Sequence, residues 1–148
     1  MKKFVFASAR CRGLAFGVCA FLLSNLSATA EPVTFAGQGL MLHGELFRPD
    51  GPGRFPAVIA LHGCAGLYGR HGDLAPRHAD WAKRLVAEGH VVLFPDSFGS
   101  RGAGPQCKVQ DRITRPAKER RDDAFAAKAY LQGRADVDPR AVSLLGWS

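Results

Sequence analysis

Two short apolar runs constrain this chain more than any other feature: Pro56-Ala57-Val58-Ile59-Ala60-Leu61, and Val91-Val92-Leu93-Phe94 following His90. Neither alternates apolar with polar residues, so each suits a strand covered on both faces rather than one with a wet side. Between them, residues 74–88 carry a helical pattern, with Ala82, Leu85 and Val86 joined by His78 and Trp81 on one stripe. Gly89 is placed to stop that helix. Strand, helix and strand at these lengths predict a right-handed βαβ unit and a mostly parallel sheet flanked by helices, an α/β architecture.

The rest of the chain extends this frame. Residues 32–37 read as a short strand and 37–39 as a turn. Leu40, Leu42, Gly44 and Leu46 then alternate with Met41, His43, Glu45 and Phe47, which predicts a second strand in a hairpin with the first. Residues 48–53 are dense in Pro, Gly and Asp and form a loop. Residues 97–115 lack periodicity and read as a long loop of the functional kind. A second helix is predicted over 116–132, with Pro116 in its first turn, Gly133 as its cap, and Ala124, Ala127, Tyr130 and Leu131 on its apolar stripe. A turn at 136–139 leads to a last strand at 141–145. No repeat, low-complexity tract or internal boundary divides residues 31–148.

The first thirty residues have a different purpose. Lys2, Lys3, Arg10 and Arg12 make a basic start, residues 13–23 an apolar run, and Ala28-Thr29-Ala30 a small-residue cleavage site. These are the parts of a secretory signal peptide over residues 1–30. The run is shorter than the ~20 apolar residues a membrane anchor needs, so no stable membrane insertion is expected after cleavage. The expected location is exported, periplasmic or secreted. Removing the leader lowers the 20 basic residues to 16 against 13 acidic ones, so most of the +7 net charge belongs to the export signal. What remains is too weak to argue for nucleic acid. The one local cluster, Lys118-Glu119-Arg120-Arg121, reads as the solvated face of a helix. Cys11 and Cys19 leave with the leader. Cys64 and Cys107 stay, and their spacing alone does not say whether they pair.

Chemistry enters at Gly146-Trp147-Ser148. A serine hydroxyl becomes a useful nucleophile when a base lies in hydrogen-bond reach, amides await the oxyanion, and the backbone exposes its oxygen. A tight strand-to-helix turn of the Gly-x-Ser-x-Gly kind provides that exposure in α/β-hydrolases. Here the Gly-x-Ser directly follows an apolar strand, which makes Ser148 the candidate nucleophile. Upstream, His62-Gly63-Cys64-Ala65-Gly66 follows the first buried strand and has the form of the loop whose amide binds the oxyanion, with the Cys64 backbone N–H as donor. A plain glycine-rich loop and a phosphate cradle are the alternatives. The second lacks both a G-x-G-x-x-G and a Walker pattern. His62 precedes the serine, against the Ser, Asp/Glu, His order of this fold, and so is not the expected base. His43, His71, His78 and His90 also lie upstream, and no metal-ligand spacing is present.

Taken together, Leu61-His62-Gly63-Cys64-Ala65-Gly66-Leu67, Pro95-Asp96-Ser97-Phe98-Gly99-Ser100-Arg101-Gly102, and Val137-Asp138-Pro139-Arg140 leading to Gly146-Trp147-Ser148 resemble the dienelactone hydrolase (carboxymethylenebutenolidase-like) family of α/β-hydrolases. The resemblance covers residues 32–148. It implies an eight-stranded sheet of which this chain holds about five strands. It also implies hydrolysis of small-molecule carboxylic esters or lactones through an acyl-enzyme, without metal or organic cofactor. Well-studied members use a cysteine nucleophile; Ser148 at that position aligns the chain with serine-bearing relatives. Arg101 lies one residue off the place of a family arginine that binds a substrate carboxylate, and is a candidate for that role. The competing assignment is an arginine paired with a carboxylate in its loop. Asp96 reads as structural, bonding loop amides. Both loops follow parallel strands and should share one sheet edge, which brings Cys64 and Cys107 toward each other as a candidate disulfide. Ser148 is the last residue of the sequence. The expectation is therefore an N-terminal part of the domain, truncated after about the fifth strand and inactive by itself. The alternative is a non-catalytic truncated remnant or an exported binding module.

Overall fold

The computed structural model describes residues 29–148. The proposed leader lies almost wholly outside them. Five strands form one mixed sheet in the order β1-β2-β4-β3-β5. β1 (Glu31–Ala36) and β2 (Met41–Phe47) are an antiparallel hairpin, with Val33 opposite Gly44 and Phe35 opposite Leu42. β2 also runs antiparallel to β4 (Val91–Pro95). β3 (Phe55–Leu61) lies between β4 and β5 (Val137–Gly146) and is parallel to both.

The two unalternating runs are explained by what covers them. One face of the sheet carries Leu42, Leu46, Ile59, Val91 and Leu93, closed over by Ala127 and Leu131 of helix α2 (Arg121–Gln132). The opposite face carries Phe47, Ala60, Val92 and Phe94, closed over by Ala82 and Val86 of helix α1 (Pro76–Ala87). Successive residues of β4 thus enter opposite cores. Each completely buried Val, Leu or Phe contributes about 1.5–3 kcal/mol, so neither face tolerates a polar residue.

Helix ends follow the expected chemistry. α1 starts with Pro76 in its first turn. It ends where Gly89, at φ 84°, donates to the Val86 carbonyl and His90 donates to that of Leu85, both at 2.9 Å. This is a Schellman closure, whose left-handed residue favours glycine.

Two elements depart from the sequence-based reading. The predicted helix 116–132 begins with a π turn at Pro116–Arg120 before α2 proper. Its inward face includes Ala127 and Leu131 of the expected stripe, with Tyr130 packed against the same core, and adds the buried Asp123. Residues 137–139 of the predicted turn belong to β5, which starts at Val137 because Phe55 N–H donates to the Asp136 carbonyl at 3.0 Å and Val137 pairs with Phe55. A register irregularity then separates that pair from Ala57 and Val142. Pro139 is tolerated there because β5 is an outer strand of this sheet.

Candidate functional site

Parallel pairing sets the site. Leu61 at the end of β3 lies opposite Gly146 at the end of β5, and Trp147 N–H donates to the Leu61 carbonyl at 3.1 Å. The His62-Gly63 turn and the Trp147-Ser148 segment therefore leave the sheet side by side. Their approach is close: a Cβ on Gly63 would lie 3.4 Å from the Ser148 carbonyl carbon. The Trp147 indole packs into the α1 layer, 5.4 Å from the His78 ring and 6.4 Å from Phe94, which anchors the residue before the serine.

Gly63, Cys64, Gly66, Tyr68, Asp96 and Ser148 are among the residues lining one cavity of about 730 Å³. Two of the sequence-predicted residues, Ser148 and Cys64, thus share one space. Arg101 does not line it. Its guanidinium grips the buried Asp123 carboxylate through two N–H bonds, at 2.8 and 2.7 Å, and donates again to the Ser97 carbonyl at 2.8 Å. A substrate carboxylate reaching Arg101 would have to displace Asp123.

Cys64 and Cys107 are joined by a disulfide, with Cα atoms 4.7 Å apart. Gln106 N–H donates to the Cys64 carbonyl at 2.7 Å beside it. The long segment 97–115 is thereby stapled to the loop that follows β3. Asp96, at the end of β4, accepts the Phe98 and Gly99 amides on Oδ1 at 3.2 and 2.9 Å, which turns the chain sharply into that segment.

His62 is fully buried against the Phe98 ring, 4.6 Å away. Its Nδ1 donates to the Gly63 carbonyl at 2.8 Å, while Nε2 stands 3.9 Å from Asp96 Oδ1. Burial lowers its pKa to about 4, so near neutral pH the ring is uncharged with its proton on Nδ1. Such a group locks a loop. His78 lines the cavity, but its Nδ1 is held by the Leu67 carbonyl at 3.0 Å, and burial also lowers its pKa. Tyr68 donates to Glu45 at 2.9 Å, and burial raises its pKa, keeping the phenol protonated.

The cluster expected to be a solvated face is not uniform. Arg120, at the end of the π turn, is half-buried, lies over Phe98 with its Cζ 5.5 Å from the ring centroid, and donates through Nη2 to the His62 carbonyl. Periodicity could not show this, because a π turn shifts the register by which helical faces are read. Among the described residues, no group of three or more His, Cys, Asp or Glu could hold a metal ion, and no helix is long and apolar enough to cross a membrane.

Comparison with known proteins agrees with this geometry. The family model described as "Dienelactone hydrolase family" matches residues 42–148. YfhR of Salmonella typhimurium, an uncharacterized protein, is 33% identical over 126 residues, spanning 82% of this chain and 38% of that protein. Among solved structures, the dienelactone hydrolase-like promiscuous phosphotriesterase P91 from metagenomic libraries superposes with a TM-score of 0.61 at 23% identity, over 82% of this chain and 50% of that one. The thermostable carboxylesterase EstE1, also from a metagenomic library, superposes with a TM-score of 0.57 at 22% identity, over 82% and 37%. At such identities the likeness is one of fold. The chain spans half or less of the length of these relatives. With most of its residues inside the family match and five strands arranged as in α/β-hydrolases, the chain belongs to the dienelactone hydrolase family.

Proposed function

We propose that this chain carries the nucleophile and the oxyanion loop of an exported hydrolase of carboxylic esters or lactones. Ser148 attacks the carbonyl carbon, the Cys64 N–H stabilises the resulting oxyanion, and an acyl-enzyme forms and is hydrolysed. One observation carries this reading: Ser148 and Cys64 line the same cavity, at the ends of adjacent parallel strands. The Cys64–Cys107 disulfide supports an oxidising compartment, in keeping with the leader sequence. The chain covers half or less of the length of its relatives. We assign the triad acid and histidine to the part of those relatives that this chain does not span, and expect the 148 residues alone to be inactive.

The test has two arms. The 148-residue chain is expected to show no turnover of p-nitrophenyl acetate above background; turnover that disappears with Ser148→Ala would reverse that expectation. Expressed with its downstream coding sequence, the protein is expected to hydrolyse the ester and to lose at least about 10³-fold in kcat with Ser148→Ala. Activity indifferent to that substitution would remove Ser148 from the mechanism. A protein that includes the downstream sequence and still shows no activity would favour the binding-module alternative.

A further inference from the structure

The loop following β3 is held by its carbonyl oxygens. Arg120 donates to that of His62. The Gly63 carbonyl accepts from His62 Nδ1 at 2.8 Å and from Gly66 N–H at 3.1 Å. The Cys64 carbonyl accepts from Gln106 N–H at 2.7 Å. Three consecutive peptides are thus pinned. In a trans peptide the N–H points opposite the C=O, and this chain has no cis peptide among its described residues. Holding the Gly63 carbonyl on one side turns the Cys64 N–H to the other. That N–H meets no acceptor among the described residues.

Two of these anchors come from far along the chain: Gln106, beside the disulfide, and Arg120, the long-range anchor that a side chain supplies, across 58 residues. The Arg120 side chain is costly to keep there. Its Nε is buried without a partner, and burial lowers its pKa. Asp123, whose charge favours it, is already gripped by Arg101. An apolar side chain of similar volume generally stabilises such a place as well as or better than a buried cation. What Met or Leu could not do is hold the His62 carbonyl.

The geometry points to Arg120 as a positioning residue for the oxyanion hole: its bond to the His62 carbonyl fixes the first peptide of the loop and so sets where the Cys64 N–H meets the oxyanion. This rests on the reading of Ser148 as nucleophile. Small displacements of such a donor cost rate rather than ground-state affinity.

The experiment compares native protein, Arg120→Met and Arg120→Lys in the form that includes the downstream sequence. With p-nitrophenyl acetate, Arg120→Met is expected to lower kcat about 10²-fold while KM moves less than about threefold. Arg120→Lys, which keeps a charged donor, is expected to recover part of the loss. A folded Arg120→Met with native kcat, or with its loss confined to KM, overturns the proposal. The second readout needs no turnover: the ¹H–¹⁵N resonance of the Cys64 amide and its hydrogen exchange. Arg120→Met is expected to shift that resonance and speed its exchange while amides of β3 and β4 stay as they were; an unmoved Cys64 amide overturns the proposal. Ser148→Ala in parallel separates the two readings. Turnover that survives it counts against the nucleophile, and the amide measurement then decides on Arg120 by itself. Should Arg120→Met fail to fold, Arg120→Gln takes its place in both measurements.

Discussion

His62 precedes Ser148 in the chain and was not the expected base; its ring is buried with Nδ1 spent on the Gly63 carbonyl. Its folded pKa of about 4 lies below the ordinary 6.5, so the unfolded chain binds the proton more tightly than the native one. Stability therefore holds above pH 6.5 and falls as pH drops from 6.5 toward 4, by about 3 kcal/mol at most. His78, shifted the same way, adds to this slope. Urea midpoints measured across that range should decline with acidification, and His62→Asn should flatten the profile. An unchanged slope would mean that His62 is not held neutral. Gly44 makes a second residue-scale case. A Cβ there would stand 2.6 Å from the Phe94 carbonyl oxygen, closer than real Cβ atoms come. Gly44→Ala is expected to destabilise the fold by about 2 kcal/mol, read as a drop in urea midpoint without a change of m-value.

At the scale of elements, the site is a pair of loops held together by covalent and polar ties. The segment 97–115 has no regular structure beyond the short 3₁₀ turn Gly99–Arg101, and its position comes from Asp96, the Arg101–Asp123 pair and the disulfide. Closing a loop of 43 residues restricts the unfolded chain enough to contribute about 4 kcal/mol in the chain-entropy picture. A protein of residues 31–148 should show no free thiol before reduction and two after. Dithiothreitol should lower its urea midpoint, and Cys107→Ser should lower it equally while becoming insensitive to reductant. Two free thiols in the oxidised protein would remove the staple. The π turn belongs to this scale as well. Lys118 to Arg121 read as a solvated cluster because a regular helix was assumed, but Arg120 turns inward to His62 and Phe98.

Across the described residues, the sheet has two outer strands, the short β1 of the hairpin and the ten-residue β5. Leu144 is 61% exposed on β5, and Phe125 is 64% exposed on α2. An unpaired strand with apolar neighbours is a template for further pairing. Light scattering from the 148-residue chain should rise with protein concentration, and Leu144→Lys should suppress that rise without lowering the thermal midpoint. Scattering that is independent of both would mean the edge is inert.

Much of the frame was legible locally. The runs of β3 and β4 announced burial on both faces, Gly89 announced the end of α1, and Gly146-Trp147-Ser148 after an apolar strand announced the candidate nucleophile. These signals are properties of neighbouring residues, governed by period, turn chemistry and steric freedom. The start of β5 was not legible, because pairing with Phe55 overrode the turn preference of residues 136–139. Nor was the choice of charged and polar partners: Arg101 with Asp123 at a separation of 22, Arg120 with the His62 carbonyl at 58. The Cys64–Cys107 pair was a candidate as soon as the two loops were placed on one sheet edge, and the structure joins it. The sequence by itself determined most of which segments are strands, helices and candidate site loops. Only tertiary packing decided which charges and carbonyls meet, because a side chain's partner depends on how elements far apart in the chain stack, and no local pattern encodes that distance.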